Sequence, residues 1–432
     1  MMGPLRGALV VSGWQGPGFN IVAMSTPVSP SMLTEATPQI PPQALAGLKV
    51  IELGQLIAGP FAGKTLADFG AEVIKVEPPA AEGGAGGDPL RQWRMLHNGT
   101  SVWWQVQSRN KQSVVLDLRT EAGRDTVRRL IDEADVLIEN FKPGTLEKWG
   151  MGYEVLSRSN PGLIMLRVSG YGQTGPYRDR PGFAVVAEAM GGMRYLNGEP
   201  GRPPVRAGVS LGDTLAALHG VIGVLLALQA RQRSVSRDAP KGLGQVVDVA
   251  LYESVFNCME SLLPEYSAFG AVRQPAGSAL PGIAPSNAYP CADGMVVIGG
   301  NGDSIFKRLM IAIGRDDLAT DPQLASNPGR VARVTEIDAA IGAWTGTRQV
   351  AQVLEVLNAA SVPVGRIYTA ADIAADPHYQ AREMTVPVTT PDGLTVQVPG
   401  IVPKLSRTPG AITRRAPTLG EDTEAVLSRL QP

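Results

Sequence analysis

The sequence predicts an α/β fold: a large doubly wound parallel sheet with a smaller α+β unit. Three observations carry that expectation. Short apolar runs alternate with helical stretches through the first half of the chain, the mark of βαβ units. The runs are apolar without polar alternation, as strands covered on both faces must be. Past residue 290 the alternation gives way to one strand followed by several helices, so a second core is expected there. A chain of 432 residues also exceeds what one simple core usually organises.

Taken in order, residues 1–45 are rich in Gly, Pro, Ser and Thr and are expected to be a disordered tail. Ala8-Leu9-Val10-Val11 is too short for a signal-peptide core. A first strand spans Leu48 to Leu53, a helix Phe61 to Asp68 and a second strand Glu72 to Glu77, closing a βαβ unit. The Gly-rich stretch 83–87 reads as a mobile loop. Strand Ser113 to Leu118, helix Glu121 to Glu133, strand Val136 to Ile138 and strand Leu163 to Val168 continue the pattern. In such a sheet ligands bind beyond the carboxyl ends of the strands, so the loops after Leu53, Glu77, Ile138 and Val168 should gather on one edge. Thr214 to Leu228 is apolar almost throughout and reads as a fully buried core helix. The domain plan is then a first part of the large α/β domain over 46–245, a linker helix over 246–275, a small α+β domain over 276–375, and a return linker with the C-terminal segment over 376–432. Within that plan Val246 to Leu263 is a strand running into a helix, and Thr385 to Val388 is at best an edge strand because of Pro387.

Composition excludes several classes. The 39 basic and 40 acidic residues leave a net charge of -1, so no global field favours nucleic acid or an acidic membrane. Two cysteines, Cys258 and Cys291, form neither a disulfide framework nor a CxxC motif, which fits the cytoplasm. His97, His219 and His378 lie far apart, without metal-ligand spacing.

Two features offer chemistry. Ala58-Gly59-Pro60-Phe61-Ala62-Gly63-Lys64-Thr65 fits a relaxed phosphate-loop pattern, but Pro60 has no N–H to give and Phe61 is bulky, so a P-loop NTPase is disfavoured. Arg91, Arg94, Arg109, Lys111, Lys142 and Lys148 fall near the expected ligand edge; each alone reads as a solvated charge, and as a set they suit a phosphorylated ligand. The second feature is Asp213, at the mouth of the apolar helix. Local sequence favours a helix cap. The sharper reading is a carboxylate held in an apolar pocket as a nucleophile.

Four separated stretches tip that balance: Val50 to Glu77; Asn110-Lys111 with Glu139-Asn140-Phe141; Ser169 to Pro176 on through Gly191-Gly192 to Gly212-Asp213; and Pro417 to Glu421. In this order they resemble the class III CoA-transferase family, also called CaiB/BaiF, over nearly everything after residue 46. The resemblance implies a large α/β domain built from both chain ends, a small domain between, and two copies interlocked as a homodimer. It implies Asp213 as the catalytic nucleophile, and CoA contacts at Ile57, Ala58, Asn110, Lys111, Asn140, Phe141 and Lys148. Glu188 and Arg206, with Arg180, are candidates for shaping the acid site. The expected partners are an acyl-CoA and a small carboxylic acid, with CoA as substrate and no cofactor, metal, nucleic acid or membrane. The pattern is closest to members that use succinyl-CoA with dicarboxylic acids. Two positions depart from it: Pro78 stands where some members carry Arg, and Asp422 where a histidine is expected. The alternative on the same fold, an α-methylacyl-CoA racemase, looks to need His and Asp where this chain has Pro181-Gly182-Phe183-Ala184. A non-catalytic CoA-binding protein is the remaining alternative.

Overall fold

The computed structural model describes residues 43–80 and 85–430. The expected tail lies almost wholly outside the described residues, as do residues 83 and 84 of the Gly-rich stretch 83–87. Its remainder is packed: Gly87 donates to the Pro78 carbonyl at 2.9 Å, and a Cβ on it would meet Leu419 at 2.9 Å.

The large sheet is wholly parallel. Its strands are β1 (Lys49–Glu52), β2 (Glu72–Glu77), β3 (Lys111–Val115), β4 (Val136–Glu139), β5 (Ile164–Ser169) and β6 (Val246–Ala250). They lie in the order 3-2-1-4-5-6. The direction of winding therefore reverses between β1 and β4, and a crevice opens beyond their carboxyl ends. One helical layer holds α1 (Ala58–Asp68), and the other holds α2 (Glu121–Glu133). The sixth strand corrects the expected linker: residues 246–250 are hydrogen-bonded to β5 in register Met165↔Val246. The helix after them ends at Phe256, and a separate one spans Leu262–Phe269.

The early and late parts of the described chain meet in this domain. Trp104 Nε1 donates to the Pro417 carbonyl at 2.9 Å, and Ser113 N–H donates to the Asp422 carboxylate at 2.9 Å. Asp422, which departs from the family pattern, also pairs with Arg414 at 2.8 Å and so serves as a stitch between the two chain ends. The smaller unit has a three-stranded antiparallel sheet, Ser286–Cys291, Gly294–Gly299 and Val364–Arg366. Helices between residues 303 and 359 pack on it around Phe306, Leu309, Ile337 and Ile341. The hairpin Thr385–Thr389 with Thr395–Pro399 leads back to the large domain.

The long apolar helix, Leu211–Arg233, lies on β5 and β6 through small residues: Gly212, Ala216, Ala217, Gly220 and Val224 are buried. A Cβ on Gly223 would come within 2.4 Å of Val247 Cγ1, so the close approach requires glycine. The opposite face is not covered by any of the described residues. Leu218, Ile222, Leu225 and Leu226 recur at helical spacing and are all exposed. The expectation of a fully buried helix is thus met on one face only, because uniform apolarity does not say which cover comes from the same chain.

Candidate functional site

The site begins with β1, whose last residue, Glu52, is completely buried among charges. Its carboxylate faces Lys75 Nζ at 2.9 Å and Lys111 Nζ at 2.7 Å. Lys75 also reaches Asp88 at 2.8 Å and donates to the Gly54 carbonyl at 2.7 Å. Burial pulls the Lys75 ammonium down, but Asp88 and Glu52 outweigh it and hold its pKa above the ordinary value. Lys111 shares Glu52 with Lys75; burial dominates there and draws it down to about 8. Buried charges persist only when they are paired. Every charge in this cluster has an opposite partner, although Glu52 Oε2 meets Lys111 Nζ as an ion pair and accepts no hydrogen bond. The cluster fixes a loop: Asp88 accepts the Leu56 N–H at 3.0 Å and holds that residue at φ 63°.

The facing loop after β4 is fixed in the same way. Glu139, itself buried, accepts the Phe141 N–H at 2.8 Å and binds Arg167 at 2.7 Å. Asn140 exchanges two hydrogen bonds with the Gln55 backbone, each 2.8 Å long. The two loops that flank the reversal of winding are therefore clamped to each other. Between them and the loop after β5 lies a cavity of about 550 Å³.

Its walls bring together Ile57, Ala58, Asn140, Phe141, Arg180, Arg206 and Asp213 from among the residues singled out in the sequence. Trp93, Lys142 and Arg178 also line it. Sequence reading placed Lys142 in the basic set but missed Arg178 and Trp93, whose only signal is a position on loops beyond the sheet edge. Of the expected CoA contacts, Asn110, Lys111 and Lys148 do not line the cavity. Lys111 is completely buried between Glu52 and the Pro60 carbonyl. Asn110 spends its amide on Asp68, Ala411, Thr413 and Arg414, tying the returning chain to α1. Lys148 is exposed on a short helix, Thr145–Lys148. Nor are Arg91 and Arg109 solvated charges. They form two-pronged ion pairs with Glu77 and Asp68 in the interior.

The phosphate-loop resemblance also dissolves. Ala58, Gly59 and Pro60 already form the first turn of α1, three residues earlier than expected. Gly63 faces the buried Glu52 carboxylate, and Lys64 lies 4.2 Å over the Phe61 ring rather than at the helix mouth.

Asp213 is the third residue of the Leu211–Arg233 helix. The N-cap position belongs to Ser210, and no side chain caps the helix through that residue. Among the described residues no hydrogen bond to the Asp213 carboxylate is present, so the capping role is not the one it plays. Burial raises its pKa to about 6; the neighbouring Glu188 adds to the rise and Arg206 opposes it. Glu188 lies behind the wall rather than on it, almost fully buried, with Arg194 at 3.4 Å and Arg206 at 3.5 Å. His219, farther along the same helix, is engaged by the Leu215 carbonyl at 2.8 Å and by Asn257 at 3.2 Å.

The chain as a whole is similar to proteins of a known family. The profile of CoA-transferase family III matches residues 45–423. The chain is 48% identical over 394 residues to the succinyl-CoA–D-citramalate CoA-transferase of Chloroflexus aurantiacus, covering 91% of this chain and 95% of that one. It is 36% identical over 408 residues to the succinate–glutarate CoA-transferase of Agrobacterium fabrum, covering 92% and 98%. A crystal structure of a CaiB/BaiF family protein from Brucella suis superposes with a TM-score of 0.78 at 36% identity, covering 90% of this chain and all of that one.

Proposed function

The chain belongs to CoA-transferase family III, and on that premise we propose that it moves CoA from succinyl-CoA to a small dicarboxylic acid through Asp213. The observation that carries the reading is a carboxylate free of hydrogen bonds at the crevice where the winding reverses, with Arg206 beside it. The names of the relatives support the substrate class: they pair succinyl-CoA or succinate with D-citramalate and glutarate.

The Asp213 carboxylate attacks the thioester carbonyl, the C–S bond breaks, and CoA thiolate leaves behind a succinyl–aspartyl anhydride. The thiolate then attacks the aspartyl carbonyl, which releases succinate and leaves an aspartyl–CoA thioester. The acceptor carboxylate attacks that thioester and expels thiolate, and thiolate finally attacks the acceptor's carbonyl to free the new acyl-CoA and Asp213. Every step exchanges one activated acyl bond for another, so the reaction asks for no ATP, metal or redox cofactor. Ile57, Ala58 and Phe141 form an apolar wall for the CoA arm, and Lys142, Arg178 and Arg180, the further cations on the cavity wall, would meet its phosphates. Arg206 receives the distal carboxylate of the acid. Racemisation would need a second proton-transfer group, and Pro181–Ala184 supplies none. We assign the enzyme to the cytoplasm as a homodimer.

Incubation with succinyl-CoA and a panel of dicarboxylic acids, read by mass for new CoA thioesters, tests the reading. Hydroxylamine added during turnover should convert residue 213 to a hydroxamate, and Asp213→Ala should transfer nothing. Product from Asp213→Ala at the wild-type rate would refute the mechanism.

A further inference from the structure

The helix that carries Asp213 needs an acceptor for its first N–H groups, and Asp213 does not supply one. The acceptor comes from elsewhere. Glu188, on the helix Ala184–Met190, reaches the Gly212 N–H with Oε1 at 3.4 Å. Its other oxygen faces Arg194 at 3.4 Å and Arg206 at 3.5 Å. Glu188 is only 2% exposed and does not line the cavity, so it is out of reach of a ligand, whereas Arg206 lines the cavity beside Asp213.

From this geometry we infer that Glu188 is a positioning residue: it caps the catalytic helix in place of Asp213 and anchors Arg206 at the cavity wall, leaving the nucleophile unbonded. The inference rests on the reading of Asp213 as the nucleophile. Its physical content is a division of labour between two carboxylates. An anion near a helix N-terminus is stabilised by the unpaired N–H groups, and the one that takes them is tied down. A tied carboxylate is a poor nucleophile, because its lone pairs are engaged and its charge is dispersed. With Glu188 in that role, Asp213 keeps its lone pairs and sits beside a second negative charge, which raises its basicity. The charged groups around Asp213 are Glu188 behind it, Arg206 next to it, Arg194 beyond Glu188, and Arg178, Arg180 and Lys142 on the cavity wall.

The test is the pH profile of kcat/KM for succinyl-CoA, read with two variants of opposite sign. Transfer requires ionised Asp213, so the acid limb follows its pKa. Glu188→Gln keeps an oxygen for the Gly212 N–H but removes the charge, and should move the acid limb down by about one pH unit. Arg206→Gln removes the opposing cation and should move it up. Should Glu188→Gln not fold, an unmoved limb in Arg206→Gln would itself overturn the inference, and a limb moved up would uphold it. A folded Glu188→Gln enzyme that forms the hydroxamate at residue 213 with an unmoved acid limb overturns the inference and leaves the proposed reaction standing. Absence of the hydroxamate in the wild type overturns the reaction itself.

Discussion

At the scale of the residue, Asp213 is a case where function and stability pull apart. Its folded-state pKa of about 6 lies above the unfolded value of 3.8. Between those values the native state holds a proton that the unfolded chain has released, so ionising Asp213 costs stability as pH rises through that window. Above about pH 6 the cost is fully present; below about pH 4 it is absent. Asp213→Asn should therefore unfold at higher urea than the wild type at pH 8, by up to about 3 kcal/mol, and with no such advantage near pH 3. Equal unfolding midpoints at pH 8 would show that the carboxylate is not held at a cost. The wild-type enzyme should lose kcat/KM about tenfold per pH unit below pH 6. The local sequence alone favours a cap, since an Asp in the first turn of a helix is ordinarily one, and only the rest of the chain turned the reading toward a nucleophile. What the sequence cannot display is that a carboxylate 25 positions earlier, Glu188, has taken that role.

At the scale of the element, α1 and the strands beside it show why a motif can mislead. Gly63 sits where a phosphate loop has glycine, but a Cβ there would come within 1.8 Å of Glu52 Oε2. Gly63→Ala sets two effects against each other. Helix propensity alone favours alanine by about 1 kcal/mol, while displacing Glu52 from Lys75 and Lys111 costs about 3–5 kcal/mol. A net loss of stability in urea is expected, and a net gain would show that the ion cluster yields at little cost. The same cluster marks the limit of what the sequence disclosed. Strands β1, β2, β4 and β5 were legible because unbroken apolar runs admit little else in a parallel sheet. Helix α2 was placed to the residue, between the Thr120 cap and Ala134. The charged residues at the strand ends were read as ligand contacts or solvated surface, since Lys111, Arg91 and Arg109 carry no local sign that they pair inward. Strand β6 was legible as a strand from Val246, but its place at the edge of the large sheet was not, and the domain plan put it in the linker.

At the scale of the whole molecule, the apolar stripe Leu218, Ile222, Leu225 and Leu226 is exposed along one helix, and Leu263, Tyr266 and Phe269 are exposed on another, the last at 85%. Single chains rarely leave an apolar helix face of this kind in water. A net charge of -1 gives two copies little reason to repel each other. A second copy bound across a twofold axis would cover the patch on both chains at once. Sedimentation equilibrium should find a dimer at micromolar protein, and the double variant Ile222→Asp, Leu226→Asp should be a monomer. A wild-type enzyme that sediments as a monomer while turning over would refute the dimer. Because the exposed stripe lies on the helix that carries Asp213, a dimer built on it would be mechanically linked to the proposed site. The sheet holds that helix by its glycines and alanines on one side, and a second copy would hold it on the other. Separation of the copies should therefore slow transfer by loosening the nucleophile's helix. Binding of CoA should suffer less, since the walls proposed for it at Ile57 and Phe141 adjoin loops held by buried carboxylates within one chain.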